Sequence, residues 1–144
     1  MIYYFCGQPA SGKTTLAKKL NEHLGNKLFH IDGDNLREVL QNKDYSEEGR
    51  KKNCQSVNDI ARYLDSCGHD VIISVVSPYL ELRESLKNTN KVIEIYVHTS
   101  NIRGREKYFV SNFEKPQSKY IDLCTDDISV EESFNKLINK IYVV

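Results

Sequence analysis

The chain has 144 residues, of which 40% are hydrophobic, and this size is typical of one domain with one buried core. Its 20 Lys and Arg side chains balance its 20 Asp and Glu side chains, so the formal net charge is zero. That balance argues against broad binding of nucleic acid or of an anionic membrane, and it favours a local ligand site. We therefore expect a small-molecule partner, and neither nucleic acid nor a membrane.

No basic region precedes the first apolar segment, so we expect no signal peptide, and the longest apolar run, residues 71–76, is too short to span a bilayer. The four cysteines form neither a CxxC pair nor a cluster with histidines. We interpret them as small buried side chains in a reducing compartment, which predicts a cytoplasmic location. They are Cys6, Cys54, Cys67 and Cys124.

Short apolar runs alternate with stretches of helical periodicity along the whole chain. Predicted helices follow residue 14, residue 34 and a polar loop at 43–50, and two more open at Ser77-Pro78 and at the capping box Ser129-x-x-Glu132. This alternation predicts an α/β fold: a parallel five-stranded sheet with helices on both faces and ligands at the carboxyl ends of the strands. The predicted strands are Ile2–Cys6, 27–31, 70–76, 91–97 and Tyr120–Cys124.

The stretch GQPASGKTT at residues 7–15 lies between the first strand and the first helix. It fits the P-loop pattern, in which backbone N–H groups and a helix N-terminus bind phosphate oxygens. Lys13, expected in a solvent-facing loop, would reach the β and γ phosphates, and Thr14 would offer its hydroxyl to Mg²⁺. The motif therefore predicts a nucleoside triphosphate with Mg²⁺. The predicted phosphate contacts are Gly7, Ala10, Ser11, Gly12, Lys13, Thr14 and Thr15.

The acidic turn Asp32-Gly33-Asp34 follows the second strand, at the same edge of the sheet as the P-loop. A carboxylate there could orient Mg²⁺ or take the proton of an acceptor hydroxyl, whereas the alternative is a turn whose Asp34 caps the next helix. Arg37 lies one helical turn later, and Arg50 and Asn53 share a helix face at i, i+3. The residues alone leave both interpretations open.

Five segments, in order, resemble the adenylylsulfate kinase family: GQPASGKTTLAKKL, IDGDNLR, YSEEGRKKN, VVSPYLELR and LCTDDISVEES. They cover most of the chain, and DGDNLR followed by an SPY segment is the most specific part. The resemblance implies one P-loop kinase domain, residues 1–144, that transfers the γ-phosphate of ATP, with Mg²⁺, to the 3′-hydroxyl of a nucleotide. Adenylylsulfate is the default acceptor, and a homodimer is expected because family members are often dimers.

Carried over by position, the resemblance also implies roles for single residues. Asp34 would be the catalytic carboxylate near the acceptor hydroxyl and Mg²⁺, and Lys13 would act on the donor phosphates. Tyr45 takes the place of a phenylalanine that packs on the acceptor base. The implied acceptor-binding residues are Asp32, Arg37, Tyr45, Arg50, Asn53 and Ser77.

Two departures from the family fall on the acceptor side and on the lid. Gln55 and Ser56 stand where the family has two arginines, and the lid, about residues 99–119, is short. Its cations Arg103 and Arg105 are predicted to cover the ATP phosphates, with a solvated charge cluster as the alternative.

These departures keep other functions open. The same chemistry on cytidine diphosphoramidate, which some relatives use in capsule synthesis, is one alternative, and a kinase for a sugar acid is another. A non-catalytic nucleotide-binding domain is the alternative from a different class, although Lys13 and Asp34 are both retained.

Overall fold

The computed structural model describes residues 1–101 and 109–143 of the chain. Within them five strands alternate with helices, as the sequence predicted. The strands are β1 (Ile2–Cys6), β2 (Phe29–Asp32), β3 (Val71–Ser74), β4 (Val92–His98) and β5 (Tyr120–Cys124). The helices are α1 (Lys13–His23), α2 (Gly33–Leu40), α3 (Glu47–Ser66), α4 (Leu80–Thr89) and α5 (Val130–Val143).

The five strands form one parallel sheet in the order β2-β3-β1-β4-β5. β1 lies at the centre, so the turn that leaves it has a neighbouring strand on each side. Because all strands run in the same direction, their carboxyl ends meet at one edge of the sheet, where α/β folds bind ligands. The predicted fold class is therefore confirmed.

Side chains that alternate along each strand build one core on each face of the sheet. On one face Tyr4 and Ile73 pack with α3 and α4. On the other face Phe5 and Ile72 pack with α1 and α5. β3 is buried along its whole length, which explains why its sequence is a continuous apolar run instead of an alternating one.

Two predicted helix starts are wrong. α3 begins at Glu47, inside the predicted polar loop, because the side chain of Ser46 accepts a hydrogen bond from the N–H of Gly49 and caps the helix. α4 begins at Leu80 and not at the predicted serine cap, because Ser77 has a positive φ of 43° and its hydroxyl is bonded to Tyr4. The serine half of the capping box at the last helix is confirmed: the N–H of Glu132 donates to Oγ of Ser129.

All four cysteines are free thiols. Cys6 and Cys54 are buried as predicted, whereas Cys67 is exposed at the end of α3, where the prediction of a buried side chain is wrong. In the described part of the chain, no helix has both the length and the apolar character needed to cross a membrane.

Candidate active site at the carboxyl edge of the sheet

The P-loop curls back on itself between β1 and α1. A Cβ atom at Gly7 would lie 2.1 Å from the carbonyl oxygen of Val97, so only glycine fits this close approach to β4. Ala10 and Gly12 have positive φ values of 66° and 99°, which turn successive peptide groups toward one concavity. The side-chain oxygen of Ser11 is buried without a hydrogen-bond partner in the described residues. These features form a cradle for anionic oxygens.

Lys13 is the first residue of α1, and only 8% of it is exposed, so its expected place in a solvent-facing loop is wrong. Its side chain folds back over the loop, and Nζ donates to the carbonyl oxygen of Gln8 at 3.0 Å. Burial lowers the pKa of Lys13 to about 8, against the charges of Cys6, Asp34 and Asp32, which raise it. The effect of burial therefore outweighs that of the three charges.

This lowered pKa predicts that nucleotide binding takes up a proton. Around pH 8 roughly half of the Lys13 side chains are neutral in the unliganded protein. Bound phosphates favour the ammonium, so affinity for ADP with Mg²⁺ should fall as the pH rises above 8. Titration calorimetry at pH 8 in two buffers of different ionisation enthalpy should give an uptake of about half a proton per nucleotide. Equal uptake in Lys13→Met and wild type would contradict the prediction, and Lys18→Ala is the control.

Asp32 connects the end of β2 to the P-loop. Its Oδ1 accepts hydrogen bonds from Oγ1 of Thr14 at 3.2 Å and from Oγ of Ser74 at 3.0 Å. Its Oδ2 accepts from the N–H of Asn35 at 3.2 Å, so Asp32, and not Asp34, is the N-cap of α2. The structure thus links Asp32 to the P-loop through Thr14 and to β3 through Ser74.

Asp34 lies in the first turn of α2, and its side chain is exposed. It makes neither a hydrogen bond nor an ion pair with the described residues, yet it is close enough to Lys13 for its charge to raise the pKa of that lysine. Gly33 sets this position, because a Cβ atom there would lie 2.7 Å from Cγ2 of Val75 at the end of β3. The carboxylate of Asp34 is therefore available to a ligand beside the lysine.

Arg37, one turn further along α2, organises the connection to α3. Its guanidinium donates to the carbonyl oxygens of Asn42 at 3.2 Å and Asp44 at 3.1 Å. The same group lies 4.2 Å from the ring centroid of Tyr45, so one face of that ring is occupied. The ring remains 63% exposed. Arg37 and Tyr45, which the resemblance linked to one acceptor, are thus brought together.

The start of α3 faces the turn after β3. Asn53 is 3% exposed, and its Oδ1 has no hydrogen-bond partner in the described residues. Arg50 lies near Tyr79. Burial raises the pKa of Tyr79, and the positive charge of Arg50 acts to lower it. Ser77 is fully buried, and its hydroxyl accepts from the hydroxyl of Tyr4 at 2.7 Å. Ser77 also lies against Cys54, next to Asn53 in sequence.

The sequence analysis gave no role to two residues near this edge, Gln8 and Arg83. The amide of Gln8, inside the P-loop, exchanges two hydrogen bonds with the backbone of Val110, at 2.7 and 3.0 Å. Arg83 is fully buried, pairs with Glu94 at 2.9 Å and donates to the carbonyl oxygens of Ser77 and Glu114. The sequence does not indicate the pairing of Arg83 with Glu94, because α4 and β4 bring these two residues together only in the folded protein.

An open cavity of about 420 Å³ adjoins the P-loop at the ends of β4 and β5. It is linked to the loop by Thr125, whose Oγ1 donates to the carbonyl oxygen of Ser11 at 3.3 Å. Asp126 accepts from the hydroxyls of Thr99 and Ser100, and these bonds hold the pKa of its carboxyl well below the ordinary range. The predicted lid contacts Arg103 and Arg105 lie outside the described residues.

Comparison with known proteins gives the family of this fold. The model of the adenylylsulphate kinase family matches residues 1–118. The chain belongs to the adenylylsulphate kinase family. The adenylyl-sulfate kinase of Thermodesulfovibrio yellowstonii is 30% identical over 165 residues, covering 97% of this chain and 82% of the relative. That of Oceanobacillus iheyensis is 29% identical over 163 residues, covering 96% and 82%.

A solved structure agrees with this assignment at the level of the fold. The Mycobacterium tuberculosis APS kinase CysC, in complex with AMPPNP and APS, superposes with a TM-score of 0.81, covering 98% of this chain and 96% of the other at 22% identity. This adenylylsulphate kinase family member is therefore a P-loop, ATP-binding transferase of the kinase class.

The oxygen atoms near the P-loop fit the Mg²⁺ that the family implies. Mg²⁺ prefers oxygen ligands and commonly takes one or two carboxylates together with substrate phosphates. The hydroxyl of Thr14 and the exposed carboxylate of Asp34 supply such oxygens, and Asp32 holds the threonine in place. In the described part of the chain, no cluster of three or more His, Cys, Asp or Glu side chains offers another metal site.

Proposed function

We propose that this protein transfers the γ-phosphate of ATP to the 3′-hydroxyl of adenylylsulfate, with Mg²⁺ as the metal ion. The observation that supports the proposal is the position of Asp34 on α2: it is close enough to Lys13 of the P-loop to raise the pKa of that lysine, and it lies one helical turn before Arg37, which contacts Tyr45. A phosphoryl group held by the P-loop would then face an acceptor held by Arg37 and Tyr45, and the carboxylate of Asp34 would lie between them.

The donor half of the site would bind ATP. The cradle of Gly7, Ala10, Ser11 and Gly12 would hold the phosphate oxygens, and the buried ammonium of Lys13 would neutralise their charge. The cavity at the ends of β4 and β5 adjoins this cradle and would take the nucleoside of ATP. Thr15 is exposed at the start of α1 and would contact the same phosphates.

The acceptor half would bind a nucleotide with its base against the open face of Tyr45. Arg37 and Arg50 would pair with the anionic part of the acceptor, and the unpartnered oxygen of Asn53 would accept a hydrogen bond from it. Ser77 would complete the acceptor half of the site. Its strained backbone is held by Arg83 and Tyr4, and such strain is frequent at ligand sites.

Catalysis would come from positioning and from charge neutralisation. When bound, Mg²⁺ supplies positive charge to the phosphate oxygens, with Thr14 and Asp34 as its protein ligands. Lys13 would stabilise the charge that develops on the transferred phosphoryl group. Asp34 would also orient the acceptor hydroxyl and accept its proton.

An acceptor screen tests the proposal. Purified protein, ATP and Mg²⁺ are incubated with adenylylsulfate, cytidine diphosphoramidate or nucleoside monophosphates, and ADP release is followed by a coupled assay. We expect the highest kcat/KM with adenylylsulfate and a 3′-phosphorylated product. A higher kcat/KM with cytidine diphosphoramidate would keep the chemistry and change the substrate. ADP release that no acceptor stimulates would contradict the kinase function.

Arg50→Ala tests the acceptor half alone. The side chain of Arg50 makes neither a hydrogen bond nor an ion pair with the described residues, so its loss should leave the fold unchanged. We expect the KM for the acceptor to rise roughly tenfold or more while the KM for ATP stays within about twofold. Steady-state kinetics with each substrate varied in turn would measure both constants.

Lys52→Ala is the matched control, because Lys52 lies on the same helix, is exposed and pairs only with Glu48 at 3.8 Å among the described residues. It should change neither constant. A larger effect of Arg50→Ala on the KM for ATP would move this arginine to the donor half. Arg37→Ala should weaken acceptor binding as well, but it should also lower the melting temperature, because Arg37 holds the loop at Asn42 and Asp44.

We also propose that residues 1–144 act as one kinase domain and that the protein forms a homodimer. All five strands join one sheet, which supports the first statement. Assembly occurs among similar folds, since the APS kinase from Thiobacillus denitrificans is described as hexameric. Light scattering of the purified protein would test the homodimer directly.

A further inference from the structure

Four side chains form a hydrogen-bonded chain between the sheet and α1. Nε2 of His30 lies 2.7 Å from Oγ of Ser74, which lies 3.0 Å from Oδ1 of Asp32, and the same Oδ1 accepts from Oγ1 of Thr14 at 3.2 Å. His30 and Asp32 are two residues apart on β2, so they face the same side of the sheet. Ser74 is directly opposite Asp32 on β3. Only Asp32 and Thr14 have a role in the proposed function.

The direction of every hydrogen bond in this chain follows from its chemistry. An ionised carboxylate only accepts, so the hydroxyls of Ser74 and Thr14 both donate to Asp32. The single proton of Ser74 is then used, and the contact with His30 requires the ring to donate through Nε2–H. Thr14 likewise has no proton left to donate, so its oxygen presents lone pairs to a cation.

We propose that His30 and Ser74 are positioning residues for phosphoryl transfer, which hold Asp32 so that the Thr14 oxygen faces the Mg²⁺ of the donor nucleotide. This inference rests on the proposed function for its metal and its nucleotide. Neither residue touches the substrate. His30 acts through Ser74, and Ser74 acts through Asp32.

Burial of Ser74 makes its hydroxyl difficult to replace in this series of hydrogen bonds. Ser74 is only 2% exposed, so in Ser74→Ala little water can replace the lost hydroxyl. Asp32 would keep the N–H of Asn35 at Oδ2 but would lose one of two donors at Oδ1. His30 is half-buried and would lose the acceptor of its Nε2–H. The carboxylate would then be held by one hydrogen bond fewer, and the direction of the Thr14 hydroxyl would be less firmly fixed.

Histidine NMR tests the chain without relying on activity. The protein has four histidines, and the rings of His23 and His69 contact only Phe134 and Phe29 among the described aromatic side chains, so they serve as internal controls. In ¹⁵N-histidine protein around pH 8, we expect His30 to be the Nε2–H tautomer. Addition of AMPPNP with Mg²⁺ should shift its Nε2 signal, whereas AMPPNP with EDTA should shift it less. In Ser74→Ala, the effect of the hydrogen bond on the Nε2 signal and the Mg²⁺-dependent shift should both disappear.

Kinetics provides the second measurement. Ser74→Ala should raise the Mg²⁺ concentration for half-maximal rate several-fold, at an unchanged KM for the acceptor. Ser74→Thr, which keeps the hydroxyl, should restore most of the Mg²⁺ affinity. Should either serine variant fail to fold, substitutions of the half-buried His30 replace them. His30→Ala removes the N–H donor, and His30→Gln retains one.

The outcomes separate this inference from the proposed function. If AMPPNP and Mg²⁺ shift P-loop amides but leave His30 unmoved in the wild type, or if Ser74→Ala retains the wild-type Mg²⁺ requirement, the positioning role is overturned alone. If AMPPNP does not bind at all, the proposed function is overturned together with this inference. A different preferred acceptor would change the proposed substrate and leave the NMR result as support for the chain.

Discussion

Lys13→Ala should lower kcat/KM by roughly 10²–10³-fold or more while the protein remains folded. The side chain of Lys13 folds over the P-loop, and under the proposed function its ammonium would stabilise the charge on the transferred phosphoryl group, which the variant would lose. Stability should change little. The replacement removes one hydrogen bond to the carbonyl oxygen of Gln8, but it also removes a buried charge whose pKa is lowered by desolvation. Kinetics and thermal unfolding of the same preparation measure both quantities.

Lys18→Ala is the matched control, because Lys18 is an exposed lysine on the same helix. It should retain the wild-type rate and melting temperature. A Lys13→Ala protein with unchanged kcat would eliminate the P-loop kinase mechanism. A Lys13→Ala protein that unfolds at room temperature would instead show that Lys13 is required for folding.

Asp34→Asn should lower kcat by roughly 10²-fold or more, with ATP still bound and the melting temperature nearly unchanged. Asp34 is exposed, and the cap of α2 is Asp32, so this substitution leaves the helix start intact. It removes only the negative charge next to Lys13 that the metal ion and the acceptor hydroxyl would use. Single-turnover kinetics at saturating ATP and acceptor, together with nucleotide titrations, would separate rate from binding.

Glu38→Gln provides the control for charge, since Glu38 is an exposed acid on the same helix. Its rate should equal that of the wild type. A kcat of Asp34→Asn within a few-fold of the wild type would remove Asp34 from the catalytic site, and the proposal would then depend on the P-loop residues. A large loss of melting temperature would point to a structural role that the exposed side chain does not suggest.

The elements with strong periodicity were predictable from sequence, whereas their ends were less so. β1 and β5 have the predicted bounds because polar or glycine residues adjoin short apolar runs. The predicted start of α3 is too late, since residues 47–50 carry no apolar side chain and their helix is stabilised by a local cap and not by an apolar face. The Ser77-Pro78 pattern predicts a helix cap, but the structure has a strained turn there, which is held by Tyr4 and Arg83 from distant parts of the sequence.

By itself the sequence determined the α/β class, the P-loop and the family, because each is encoded in residues that are adjacent or regularly spaced along the chain. Tertiary structure alone decided which aspartate caps α2, how deeply Lys13 is buried, and that His30 reaches the P-loop threonine through Ser74 and Asp32. These properties depend on hydrogen bonds and desolvation between β1, β2, β3 and α1. Such contacts exist only once the parallel strands place their carboxyl ends at one edge.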